Sequence, residues 1–224
     1  MKKPYLKKYG VDSGFTIWIV DGRYIRERID EEFTNFGQHF RFRFIPKNEF
    51  WIDHEWGHGE EDFFIDHLQV EYRRMASGMS YDKALEKADE REQKERKRSA
   101  YFRRVRKHKD RALHERLLKS YSGKVQVWII NGEMVRDIYF IDFTEGGHHK
   151  IYPWIPKQEV WLDDDLGPRE RKFVLLHELH ERYLMTQGWP YHRAHRGASE
   201  IEHHCRTHPR DLDAKLRIEI ARNK

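Results

Sequence analysis

Short stretches of alternating apolar and polar residues predict the strands of this chain. FTIWIVDG, residues 15–22, and VQVWIING, residues 125–132, end in Asp-Gly and Asn-Gly, and the second continues into the apolar EMVRDIYFI. Such dipeptides are typical of β-hairpin turns. EFWID, residues 49–53, and EVWLDDD, residues 159–165, follow Ile-Pro and predict further short strands. We therefore predict a hairpin and one or two more strands in each half of the chain.

Helical spacing appears after each of these strand regions. RERKFVLLHELHERYLMTQG, residues 169–188, carries apolar residues three and four apart. Gly188 is a typical helix stop, and Pro190 is typical of the first turn of a second helix that runs through Glu202. The pattern predicts a helical hairpin, and therefore a compact α+β unit.

The pattern occurs twice. WIVDG and IPKNEFWID, within residues 18–53, return as WIING and IPKQEVWLD within residues 128–163, at an offset of 110. Residues 15–92 and 125–202 align at this offset without a gap and share 26 identities in 78 pairs. A duplicated module is therefore predicted.

The duplication sets the predicted domain organisation. We assign residues 1–14 to an N-terminal tail, 15–92 to a degenerate first copy, 93–123 to a charged basic helical linker, 124–208 to a second copy with the candidate site, and 209–224 to a C-terminal helix. The predicted fold is α+β, with two tandem modules of β-hairpin, strand and helical hairpin joined by one long helix. Because duplicated modules often replace a homodimer, we expect pseudo-two-fold packing and a chain that can act as a monomer.

Positive charge is concentrated in one segment of the chain. The 224 residues sum to a formal charge of +5, yet residues 94–111 hold ten Lys and Arg against two acidic residues. A basic helix with Tyr101 and Phe102 available for stacking could bind nucleic acid, and a solvated connector has the same composition. The candidate nucleic-acid-binding residues are Arg96, Lys97, Arg98, Arg103, Arg104, Arg106 and Lys107.

Composition also bears on location. The single cysteine, Cys205, excludes an internal disulfide. No apolar run approaches the length of a signal-peptide core or a membrane span. We therefore expect a cytoplasmic protein with no membrane partner.

The two copies differ where polar residues are concentrated. The first copy has Leu68, Val70 and Leu85 at the positions of Glu178, His180 and His195 in the second. Polar groups left without partners in a partly buried site are costly, so three such residues should become aliphatic together if their shared ligand is lost. The comparison therefore assigns Glu178, His180 and His195 to one site.

Helix geometry adds two residues to this site. His177 and Glu181 are four apart and share a helix face. If the chain reverses at Gly188, Glu181 lies level with His195, seven residues on either side. His177, Glu181 and His195 then form a set of two nitrogens and one oxygen, which suits Zn²⁺ or another divalent transition metal and leaves a coordination position open. A metal-free hydrogen-bonded network would use the same residues.

Other polar residues have several interpretations. His180 and Glu202 are candidates for a further ligand or for a partner that orients a histidine. The first copy retains His177 and Glu181 as His67 and Glu71, which form either a structural pair or a weakened metal site. His148 and His149 lie in a predicted loop, where His149 matches His39 and indicates a role in a turn, although two adjacent loop histidines can also approach a metal.

The sequence HELHE, residues 177–181, resembles the helix of the zincin metallohydrolases, in which His-Glu-x-x-His supplies two metal ligands. This resemblance implies that Glu178 is the general base. The pattern departs from the family because Glu181 stands in place of the second histidine and His180 comes one position early. The longer pattern of the second copy resembles small phage and microbial proteins, which implies one conserved module and no particular substrate.

Two functions follow as expectations. The first is a zinc-dependent hydrolase, peptidase-like, with His177, Glu181 and His195 as ligands and Glu178 as the catalytic base. The second is a non-enzymatic binding module in which the polar cluster is structural and the basic segment 94–111 binds nucleic acid or a protein partner. The chain lacks a nucleotide-binding glycine loop and a serine-nucleophile elbow, so kinase-like and α/β-hydrolase functions are not expected.

Overall fold

The structure is a computed structural model that describes residues 4–55, 59–107 and 113–223. Its contacts divide the chain into two compact units. Unit 1 consists of Met1–Lys109 and Glu133–Asp142, and unit 2 consists of Asp110–Gly132 and Phe143–Lys224. A short segment of the second sequence copy therefore belongs to the unit built mainly from the first.

Unit 1 contains a four-stranded mixed sheet. Its strands are β1 (Tyr5–Asp12), β2 (Phe15–Val20), β3 (Phe36–Gln38) and β4 (Glu49–Asp53). They lie in the order β1-β2-β4-β3, in which β2 and β4 are parallel and the other pairs are antiparallel. The helices are α1 (Gly22–Arg28), α2 (Glu61–Ala76), α3 (Tyr81–Arg98) and α4 (Ala100–Val105).

Alternating residues of the sheet build two cores in unit 1. Phe50 and Ile52 of β4 face α2, where they pack with Phe64 and Leu68. Trp51, between them in sequence, faces the opposite side, in a second core with Ile25 of α1 and Phe33. This arrangement follows from the side-chain period of two in a strand. Both faces of β4 are therefore buried, which explains its continuous apolar sequence.

Unit 2 repeats this architecture. Its strands are β5 (His114–Leu117), β6 (Gln126–Ile130), β7 (Gly146–His148) and β8 (Glu159–Asp163), in the order β5-β6-β8-β7. Trp128 pairs with Trp161 across the parallel strands, as Trp18 pairs with Trp51 in unit 1. The next helix in the chain is α5 (Gly132–Ile138), which belongs to unit 1 from Glu133 onward. The helices of unit 2 are α6 (Glu170–Thr186), α7 (Tyr191–Thr207) and α8 (Leu212–Arg222). The α+β prediction is confirmed, and the two similar units are consistent with a duplication.

The predicted position of the hairpin turn is wrong. Asp21-Gly22 and Asn131-Gly132 lead into α1 and α5, and the Asp21 carboxylate accepts a hydrogen bond from the backbone N–H of Tyr24 at 2.9 Å. Asp is a favoured helix N-cap as well as a turn residue, so the local signal serves both structures. The antiparallel pairs are instead β1 with β2 and β5 with β6.

Two predicted segments contain strands. Tyr5–Asp12, within the predicted N-terminal tail, forms β1 and pairs with β2. The predicted continuous helix over 93–123 is interrupted, because α3 ends at Arg98, Ser99 is extended and caps α4, and His114–Leu117 pairs with β6 as β5. Residues 108–112 of this segment lie outside the described residues. Strand pairing outweighs the helix propensity of its sequence.

The C-terminal helix is present as α8, which buries Leu212 and Leu216. It contacts α6, the helix that carries the HELHE sequence. Among the described residues, no helix combines the length and apolar character needed to cross a membrane.

Candidate metal centre

A helical hairpin in unit 2 brings the predicted ligands together. α6 ends in a turn where Gly188 adopts a φ of 88°, and α7 begins at Tyr191, directly after Pro190. A positive φ at this position suits glycine, which explains the stop that the sequence predicts. His177 and Glu181 of α6 face His195 of α7 across this hairpin.

Three potential ligand atoms converge at one point. His195 Nδ1 lies 3.1 Å from His177 Nε2 and 2.9 Å from Glu181 Oε2. His177 Nε2 lies 3.9 Å from Glu181 Oε2. A triangle of this size has a point about 2 Å from each atom, which is the usual Zn–N and Zn–O bond length. The residues present therefore fit a small divalent cation.

Glu202 of α7 orients the first of these ligands. His177 Nδ1–H donates a hydrogen bond to Glu202 Oε2 at 2.8 Å, which leaves the lone pair of Nε2 directed toward the cluster. Burial would raise the pKa of Glu202, but Arg206 and His177 outweigh burial and lower this pKa to about 2. Arg206 in turn donates to the buried Glu170. Metal-binding histidines commonly have such a carboxylate partner, so Glu202 is a partner of a ligand in this arrangement.

The structure brings His148, which the sequence places only in a predicted loop, to the candidate site. His148 ends β7, is fully buried, and its Nε2 lies 3.0 Å from Glu181 Oε1. The backbone N–H of Lys150 donates to His148 Nδ1, so the ring proton belongs to Nε2, which donates to Glu181. Burial lowers the pKa of His148 despite the nearby carboxylate, which favours this neutral ring.

His148 holds the ligand carboxylate in place. Burial would raise the pKa of Glu181, but hydrogen bonds from His148 and His195 outweigh burial and lower it to about 2. Glu181 is thus an anion whose Oε1 accepts a hydrogen bond from His148 and whose Oε2 faces the other two candidate ligands. The offset of 110 pairs His148 with Gln38, so a comparison of the copies through this loop could have identified it.

Glu178 lies beside the cluster on α6. Potential ligand atoms of Glu178, His148 and Glu181 all lie within 4.8 Å of one another. Burial, together with the negative charges of Glu181, Glu145 and Glu202, raises the pKa of Glu178 well above its usual range. A bound divalent cation would offset this repulsion and favour the ionised, proton-accepting form.

Glycine in β7 allows the strand to approach Glu178 closely. A Cβ added at Gly146 would lie 2.9 Å from the Trp161 carbonyl oxygen and 3.2 Å from Glu178 Cγ. The first distance is shorter than real side chains tolerate. Gly146 is therefore needed for β7 to pack against both β8 and α6, and this packing places His148 at the site.

His180 contacts α8 and not the cluster of His177, Glu181 and His195. Its Nδ1 lies 3.0 Å from Glu219 Oε1 of α8, and it is in none of the three groups of converging ligand atoms found among the described residues. The inference that His180 shares one site with Glu178 and His195 is therefore corrected. Because α8 has no counterpart within the aligned part of the first copy, the offset could not reveal this partner.

In unit 1 the histidine that corresponds to His177 is His67, and it lies between two carboxylates. His67 Nδ1 lies 2.9 Å from Glu92 Oε2, and His67 Nε2 lies 3.6 Å from Glu71 Oε2. Burial would lower the pKa of His67, but these two carboxylates outweigh burial and raise it to about 10. Gln38 donates to Glu71 at 2.6 Å, as His148 donates to Glu181. The histidine, its two carboxylates and the donor are retained, whereas Leu85 removes the second imidazole.

The basic segment is only partly available to a ligand. Arg96 is 1% exposed and forms ion pairs with Glu60, Glu92 and Asp137, so its assignment to nucleic-acid binding is corrected. The remaining candidates are exposed: Lys97, Arg98, Arg103, Arg104, Arg106 and Lys107. The Arg104 guanidinium lies 5.2 Å from the ring centroid of Tyr101. Nucleic-acid binding by the exposed residues stays a prediction.

Comparisons with protein families, with curated proteins and with solved structures found no match. They do not test the resemblance of HELHE to the zincin helix, which stays a prediction. Function must therefore be inferred from the geometry of the site and from the differences between the two units.

Proposed function

We propose that unit 2 is a metal-dependent hydrolase, peptidase-like, that binds Zn²⁺ or a similar divalent ion through His177, Glu181 and His195. The observation that carries this proposal is the convergence of His177 Nε2, Glu181 Oε2 and His195 Nδ1, separated by 2.9 to 3.9 Å. Two nitrogens and one carboxylate oxygen are typical of catalytic zinc sites, which keep a position for water or substrate.

The partners of the ligands support the proposal. His177 donates its other ring proton to Glu202, and Glu181 accepts a hydrogen bond from His148. Both contacts fix the orientation of a ligand before an ion binds, which reduces the cost of binding. The His195 side chain is 37% exposed, so solvent can reach the open side of the cluster.

Glu178 is the proposed general base. A bound zinc ion would supply Lewis acidity that polarises a carbonyl group and acidifies water. Glu178 accepts the proton of the attacking water and returns it to the leaving group. Its position next to Glu181 on α6, within 4.8 Å of a ligand residue, supports this role.

The experiment measures cleavage of a fluorescence-quenched peptide library by the zinc-loaded chain. We expect Glu178→Gln to slow cleavage by about 10²- to 10⁴-fold, the usual contribution of a general base, and to leave the zinc content unchanged. Glu200→Gln is the control, because Glu200 is an exposed carboxylate of α7. Full activity in zinc-loaded Glu178→Gln, or no cleavage by the zinc-loaded wild type, would contradict the proposal.

A further inference from the structure

A cavity of about 250 Å³ lies in unit 2 apart from the candidate metal centre. It is bounded by β5, by the 3₁₀ turn Lys119–Tyr121 and by the first turns of α6. Its lining residues are Arg116, Leu118, Tyr121, Pro168, Arg171, Lys172 and Leu175. None of them is a candidate metal ligand. Its volume is below the usual range for drug-sized ligands, so a suitable ligand is small.

The lining combines apolar residues with cations. Leu118, Tyr121 and Leu175 provide apolar surface, whereas Arg116, Arg171 and Lys172 carry positive charge. Lys172 already has an acidic partner, because its Nζ lies 2.9 Å from Asp213 Oδ1. The two arginines are therefore the charges most available to a ligand.

Arg171 is held in position by a hydrogen bond, and its Nε–H remains available as a donor. Its Nη2 donates to the backbone carbonyl of Asp164 at 2.9 Å, while its buried Nε has no hydrogen-bond partner among the described residues. Burial and the charge of Arg116 lower the pKa of Arg171, and the carboxylates of Asp164, Glu115 and Asp163 only partly offset them. A buried donor without a partner is costly, and an anion in the cavity would relieve that cost.

The first copy shows that the fold does not require the two cations at the start of α6. At the offset of 110, Glu61 and Asp62 stand at the positions of Arg171 and Lys172. Two cationic positions at the start of the helix are thus acidic in unit 1. Arg116 of β5 pairs with Ile129 as Lys7 of β1 pairs with Ile19, so unit 1 keeps a cation at that position. The positive charge of Arg171 and Lys172 is therefore specific to unit 2, and it is not a requirement of the shared architecture.

We propose that this cavity binds a small amphipathic anion, a carboxylate or phosphate attached to an apolar group of about the size of a benzene ring. Guanidinium groups recognise both oxyanions through paired hydrogen bonds, and the apolar residues would cover the attached group. This site does not depend on the proposed metal function, because the two sites share no residue.

The experiment is a calorimetric titration of the full chain with benzoate, phenyl phosphate and benzylamine. We expect at least one of the two anions to bind with a dissociation constant of about 1 mM or tighter, and the matched cation benzylamine not to bind. The stronger anion identifies the preferred oxyanion. His195→Leu should bind this anion as the wild type does, which separates the result from the fate of the metal site.

Two variants assign binding to the cavity. Arg171→Gln should weaken anion binding at least tenfold, whereas Arg169→Gln, at an exposed neighbour outside the lining, should not. If Arg171→Gln does not fold, Arg116→Gln replaces it, because Arg116 is an exposed residue of the lining. Absence of anion binding, equal binding of benzylamine, or anion binding that survives in folded Arg171→Gln or Arg116→Gln would overturn the proposal.

Discussion

The stability of unit 1 should depend on the charge of His67. This side chain is 2% exposed, and its pKa is raised from 6.5 to about 10 because Glu71 and Glu92 outweigh the effect of burial. A raised pKa means that the folded state holds the proton more tightly than the unfolded state. The resulting stabilisation is fully present below pH 6.5 and is lost as the pH rises through the folded-state value.

The magnitude follows from this shift. Each pH unit between the two pKa values changes the free energy of unfolding by about 1.4 kcal/mol. Between pH 7.5 and 9, His67 should therefore remove about 2 kcal/mol of stability. The assay is urea unfolding across this pH range, monitored by circular dichroism.

A matched pair of variants separates His67 from the other titrating groups. His67→Gln removes the ionisable group, so the pH dependence of its stability should be smaller than that of the wild type by about 2 kcal/mol over this range. His203→Gln removes an exposed histidine and should keep the wild-type dependence. Imidazole NMR of the wild type gives an independent check. Equal pH dependence in His67→Gln and wild type, or a neutral His67 ring at pH 8, would refute the reasoning.

Three further predictions concern His148, the glycine at the start of α5, and the charge network of Arg206. His148→Gln, which keeps a donor for the ligand carboxylate, should retain zinc, whereas His148→Leu should lose about 10- to 100-fold in affinity. Competition with a chromophoric chelator measures this difference, and equal affinities would contradict it. Gly132→Ala should lower the free energy of unfolding by about 1–3 kcal/mol, because the added Cβ would lie 2.0 Å from a carboxylate oxygen. Gly123→Ala, with nothing within 4 Å, is the control, and equal stability of the two variants would count against the prediction. Arg206→Met should cost about 3–5 kcal/mol in the same denaturation assay, because it removes the guanidinium that pairs with the buried Glu170 and with Glu202. A cost no greater than that of Arg210→Met, at an exposed position, would show that this charge network is not needed for stability.

The convergence of His177, Glu181 and His195 was predictable because the signals for it are local. His177 and Glu181 are four residues apart on one helix, and the stop at Gly188 places His195 opposite them. The internal comparison added evidence that one sequence alone seldom offers, since Leu85 shows what the fold accepts in place of His195. The contacts among these three residues therefore follow from helix geometry and one turn.

His148 and His180 show where sequence reasoning fails. His148 reaches Glu181 from β7, 33 residues earlier, so no helical or strand period connects them. His180 is paired with Glu219 by α8, a helix outside the aligned copies. Both partners are set by tertiary packing, which the sequence pattern alone does not show.

Tertiary contacts also explain the errors in the predicted fold. Asp21-Gly22 suits a tight turn and a helix start equally well. The choice depends on Asp53, whose carboxylate accepts the Gly22 N–H at 3.2 Å and occupies the space that a Cβ at Gly22 would need. His114–Leu117 lies in a sequence of strong helix formers, yet it pairs with β6. Long-range contacts outweighed local preference at both positions.

The most direct test of the metal centre is the metal content of the purified, untagged chain after incubation with zinc and dialysis, measured by elemental mass spectrometry. His195→Leu is the matched variant, since it copies Leu85 of the first copy, and circular dichroism confirms that both proteins are folded. The wild type should retain about one ion per chain, and the variant should lose it, because two ligands remain where the site has three. A wild type without metal, or a folded variant that retains the same amount, would show that these residues form a structural polar network.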